Sequence, residues 1–73
     1  MLKWHKGSWA WIADGVRPLD WYAVRRHDTK RWVALYHYHE AGEEFVVQLG
    51  KGTFGAAKIR CRDHAAKVKE GSK

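Results

Sequence analysis

Between Tyr22 and Val68 the chain alternates apolar and polar positions in three runs, then shifts to a spacing of three and four. The first run is Trp21 to His27, where Val24 between Ala23 and Arg25 sets the alternation. Asp28-Thr29-Lys30 is a short polar turn, and Arg31 to Glu40 follows as the clearest strand, dense in Trp, Val, Leu and Tyr. Ala41-Gly42-Glu43 closes a hairpin, and Glu44 to Leu49 returns. Gly50, Gly52 and Gly55 mark a loop or bulge where the backbone must bend. From Ala56 to Lys69 the composition is helical, and Ala57, Cys61, Ala65 and Val68 form one stripe that continues from Phe54. The pattern predicts an α+β domain, a three-stranded antiparallel sheet packed on one C-terminal helix. The small residues of the stripe let that helix approach closely. Lys58, Arg60, Arg62, Lys67 and Lys69 occupy much of the remaining helix surface, and the last two complement the helix dipole.

Residues 1–20 read differently, being Trp-rich and punctuated by glycine. Trp9-Ala10-Trp11-Ile12-Ala13 offers a fourth, N-terminal strand, and Asp14-Gly15 is a turn signal. Pro18 pushes Arg17 away from helix and is barred from a central strand. The expected organisation is an extension over 1–20 packed on the main sheet, a strand-strand-strand-helix domain over 21–70, and a frayed tail over 71–73.

A chain of 73 residues builds one domain with a modest core. Five tryptophans are the natural staple, since each can bury roughly 200 Å² of aromatic surface. Cys61 is the single cysteine, which rules out an internal disulfide and suits a reducing compartment. There is no apolar run of signal-peptide length near the N-terminus and none long enough to span a membrane, so a soluble, cytoplasmic protein that does not bind membranes is expected. The formal net charge of +6 predicts attraction to polyanions, either nucleic acid or an acidic protein patch.

Several short motifs share an order with a known family. Val24-Arg25-Arg26, Trp32-Val33-Ala34, Leu49-Gly50, Gly52-Thr53-Phe54 and the two Ala-Ala pairs resemble the AP2 DNA-binding domain, and phage integrase N-terminal domains have the same strand-strand-strand-helix layout. The resemblance implies that Trp32, Ala34, Tyr36 and Tyr38 face the helix. It also implies that the free face of the sheet, carrying Arg25, His27, Val33, Leu35, His37, His39, Glu44, Val46 and Gln48, is a DNA-reading surface. That face holds one arginine, three histidines, several aliphatics and a glutamate, a composition nearer to a protein interface than to a reader of base edges and phosphates. In size, charge and Trp, Ala and Arg usage, the chain also resembles small phage-encoded regulators that bind host RNA polymerase. This second resemblance rests on overall character and implies docking on the polymerase large subunit, close to nucleic acid, in the host cytoplasm.

Candidate contact residues follow from charge and aromaticity. Arg25, Arg26, Lys30 and Arg31 form the sharpest basic cluster, with a solvated turn as the plain alternative. Trp4 beside Lys3, His5 and Lys6 fits an interface hot spot, although tryptophans here also serve a small core. Leu35 and His37 lie on the free face. His37-Tyr38-His39-Glu40 places two histidines on one side of a strand, yet four convergent ligands for a closed zinc site cannot be assembled, so no metal or other cofactor is expected. For catalysis the sequence offers little. Ser8 and Ser72 have no obvious base, Cys61 sits on the inward stripe, and Gly50-Lys51-Gly52-Thr53 lacks the full phosphate-loop spacing. The expectation is a monomeric, non-enzymatic regulator of transcription, altering promoter recognition or termination (antitermination included). A DNA-binding module of the AP2 or integrase-arm kind stands second, and a purely structural interaction domain third.

Overall fold

The computed structural model describes residues 2–71. Five strands form one antiparallel sheet in chain order: β1 (Trp4–Lys6), β2 (Trp11–Asp14), β3 (Trp21–Arg26), β4 (Trp32–Glu40) and β5 (Glu43–Gly52). The helix α1 (Phe54–Gly71) then crosses β3, β4 and β5 on one face. The α+β class and the C-terminal helix agree with the sequence pattern, but the sheet has five strands where three, or four with the N-terminal piece, were expected.

The additional strand arises from a turn that composition hides. The Gly7 N–H donates to the Ala10 carbonyl at 2.8 Å, so Trp9 and Ala10 are spent in a reversal instead of extending a strand. Trp4–Lys6 can then pair with Trp11–Ala13. A Cβ on Gly7 would stand 3.0 Å from that same carbonyl, so the tightness of the turn calls for glycine.

Three connections set the rest. Between β2 and β3 the Gly15 N–H donates to the Asp20 carbonyl at 2.8 Å. Between β3 and β4, the Asp28 carboxylate accepts the N–H groups of Lys30 and Arg31 at 3.0 Å each, an Asx turn that brings the His27 N–H onto the Arg31 carbonyl at 2.9 Å. Ala41 and Gly42, with φ of 54° and 81°, close the β4–β5 hairpin in two residues. β5 runs on through Gly50 and Gly52. It does so because Ala34 pairs with Gly50 while Leu35 pairs with Gln48, leaving Leu49 as a bulge residue packed against the core.

The core lies between helix and sheet. Tyr22, Val24, Ala34 and Tyr36 meet Ala57, Cys61 and Ala65, the stripe of small residues, and Trp4, Trp11, Trp32, Tyr38, Leu49 and Phe54 seal its margin. Phe54 wedges between Trp11 and Trp32, with ring centroids 5.7 and 4.8 Å away. Two polar groups of the core find partners there. The Tyr22 hydroxyl lies 2.8 Å from His64 Nδ1, and Asp20 accepts from the Tyr36 hydroxyl and from Arg17 Nε at 2.9 Å. The tail expected to fray begins within the helix at Gly71, while Ser72 and Lys73 lie outside the described residues.

Candidate macromolecular interface at the basic end of the sheet

An antiparallel meander sends alternate connections to opposite ends, and here the two ends differ in charge. Lys6, Arg25, Arg26, Lys30, Arg31 and Lys51 gather at the end formed by the β1–β2 and β3–β4 loops and by the close of β5, where Asp28 is the only carboxylate among the described strand and loop residues. Asp14, Asp20, Glu40, Glu43 and Glu44 stand at the other end beside Arg17. Helix α1 starts at the basic end with no acidic residue in its first turn, so the positive end of its dipole adds to the field there.

The cations do not all play one part. Arg26 donates from Nε to the Asp28 carbonyl at 3.3 Å and from Nη2 to the Thr29 carbonyl at 3.2 Å, so its guanidinium braces the loop. Arg25 lies over the Trp9 ring, 5.8 Å from its centroid, and Trp9 is 53% exposed, so cation and aromatic surface are presented together. Lys30 and Arg31 are exposed at the loop tip. The register places Arg25, Val33 and Lys51 in one row across β3, β4 and β5, on the face opposite the helix. The Asp28 carboxyl is held below its ordinary range, chiefly by the backbone N–H of Lys30 and also by that of Arg31. The one acid at this end therefore stays charged and committed to the turn.

Farther along the open face the character changes. Trp21 stacks on His37 with ring centroids 3.5 Å apart, and His37 is buried beneath it. Glu44 reaches toward both histidines, 3.6 Å from His37 Nδ1 and 3.4 Å from His39 Nε2. Burial pushes the His37 pKa down, and Glu44 counters only part of that. A neutral imidazole under an indole is a packing unit here. Among the described residues no group of three or more His, Cys, Asp or Glu is arranged to hold a metal ion.

The sequence-derived contact residues thus fall into separate places. Lys6, Arg25, Arg26, Lys30 and Arg31 share the basic end. His5 lies exposed on the open face of edge strand β1, and Leu35 is half-buried in the middle of that face. Lys3 precedes β1 toward the acidic end, and Trp4 packs on the core at the rim of a cleft of about 440 Å³ against Lys58, Ile59 and Arg62. Lys51 and Trp9 were missing from the sequence-derived set. Only the strand register shows that Lys51 stands level with Arg25, and only the folded β1–β2 turn sets Trp9 against that arginine.

Burial pushes the Cys61 thiol pKa up to about 12, so it stays protonated and inaccessible. A cleft of about 700 Å³ at the acidic end is walled by Ile12, Asp14, Leu19, Trp21 and His39. The buried carboxylate beside it, Asp20, is already engaged by Arg17 and Tyr36. No described helix is long and apolar enough to cross a membrane. No protein-family model, no curated protein and no solved structure matches the chain.

Proposed function

We propose that this chain is a non-enzymatic binding module whose basic end docks on an acidic or phosphate-bearing surface of a macromolecular partner. The segregation of charge along the sheet supports this reading. It turns a modest net charge into a concentrated positive patch that carries an exposed tryptophan, and such a patch both steers and anchors a polyanionic partner. In its most concrete form the partner is RNA polymerase, gripped on its large subunit beside the nucleic acid, with promoter recognition or termination altered as a result. The size of the chain and its charge favour that form. A second reading, direct DNA binding through the open sheet face, is favoured by the Arg25–Val33–Lys51 row, since a sheet entering a groove needs cations on that face.

The two forms separate by titrating the protein against purified RNA polymerase and against duplex DNA over a range of salt. Polymerase docking predicts a saturable complex without DNA. Replacing Lys30 and Arg31 by Glu should weaken it at least tenfold while leaving the circular dichroism spectrum unchanged. Groove binding predicts instead that log affinity for duplex falls with log salt by about 0.9 for each phosphate neutralised. Undiminished affinity of the doubly reversed variant for every ligand the parent binds would remove the basic end from the account.

A further inference from the structure

The two edges of the sheet are built unequally. The β1 edge is three residues long and carries His5 and Lys6, a short, charged edge of the kind that discourages further pairing. The β5 edge is ten residues long, and among the described residues it pairs with β4 alone. Its middle is Phe45-Val46-Val47, exposed to 38%, 53% and 41%. Phe45 and Val47 sit opposite Tyr38 and Tyr36 on the helix side, and Val46 sits opposite His37 on the other. A strand apolar on both faces has the composition of a sheet interior, yet this one stands at the margin.

The charges of β5 say what fits beside it. Glu43 and Glu44 begin the strand and Lys51 nearly ends it. A second copy laid antiparallel about a twofold axis at Val47 sets Val47 against Val47, brings Phe45 and Val46 beside the partner's Leu49 and Gln48, and places Glu44 near the partner's Lys51 on the open face. The whole sheets agree with their edges, because each acidic end then lies beside the partner's basic end.

We infer that this chain forms a twofold homodimer by antiparallel pairing of β5 with β5 of a second copy, giving one continuous ten-stranded sheet with both helices on the same face. The assembly closes at two, since the edges left outside are the short β1 strands. It departs from the monomer that the sequence suggests, and it is independent of what the basic end binds.

Light scattering after size exclusion, combined with hydrogen–deuterium exchange at low and high protein concentration, tests the pairing. A dimer is expected in which alternate amides of β5, those pointing away from β4, become protected as concentration rises. Lys51→Glu should raise the dissociation constant about tenfold, because the axis repeats the lost pair. Adding Glu44→Lys to the same chain should restore it. A monomer at all concentrations up to about 1 mM overturns the inference. So does a dimer whose outer β5 amides exchange as they do in dilute solution, or one that Lys51→Glu leaves equally tight.

Discussion

Ala41 occupies a backbone conformation that alanine disfavours. Its φ of 54° and the 81° of Gly42 are the paired positive values of a two-residue hairpin turn, in which the first position usually holds Asn, Asp or Gly. The left-handed region costs an L-residue with a Cβ roughly 1–2 kcal/mol, and Asn recovers part of that through local hydrogen bonding. Ala41→Asn should therefore raise stability by about 1 kcal/mol. The check is a urea midpoint that moves up at constant slope. The glycine of this turn was legible from Ala41-Gly42-Glu43, whereas the conformation of Ala41 was not, because the twist of the flanking strands imposes it. Asp20 shows the same limit. In sequence it is one polar residue in a turn region; in the fold it is buried and tied to Tyr36, sixteen positions away. Nothing local announces that pairing.

At the scale of elements, the alternation located β3 and β4 to within about a residue or two, and the stripe Ala57, Cys61 and Ala65 is buried as its spacing predicts. Boundaries moved where side-chain chemistry took over. The helix begins at Phe54, two residues before Ala56, because Thr53 caps it: Thr53 Oγ1 accepts the Ala56 N–H at 3.1 Å, and the Thr53 carbonyl accepts the Ala57 N–H at 2.9 Å. Thr53→Ala should cost about 1 kcal/mol of unfolding free energy, and Thr53→Ser much less. Equal loss in the two variants would deny the cap its role. β5 outran its expected end at Leu49 because the bulge lets Gly50 and Gly52 stay in the ladder. The N-terminal strands differed most. Gly-Ser-Trp-Ala resembles the start of a strand until the backbone closes on itself, and then β1 has a partner.

For the molecule as a whole, three titratable groups set the response to acid, Asp20 and His37 buried and His64 half-buried. Burial pushes His37 down from the ordinary 6.5 against the partial counterweight of Glu44, and burial together with Lys67 pushes His64 down. Both rings bind protons more readily in the unfolded chain. Their contribution to stability is therefore complete above pH 6.5 and is lost as pH falls from there through their folded values. Burial pushes Asp20 up, but hydrogen bonds from Tyr36 and Arg17 outweigh it, leaving its pKa below the ordinary 3.8. Its contribution is complete above 3.8 and disappears as pH drops through the lower folded value. The urea midpoint should be level near neutrality, decline below pH 6.5, and fall more steeply below pH 4. A midpoint unchanged between pH 7 and pH 5 would contradict the desolvation of both histidines. What the sequence determined alone is what depends on neighbours in the chain: the strand and helix periods, the small inward stripe, the basic surplus and the lone cysteine. Tertiary structure decided what depends on register. It joined the N-terminal residues to the sheet, sorted the charges to opposite ends, set Lys51 level with Arg25, and left β5 rather than a main-domain interior strand at the open edge. Periodicity shows which side of a strand is apolar, but pairing order and turn geometry choose its neighbours, and those choices are made between residues far apart in the chain.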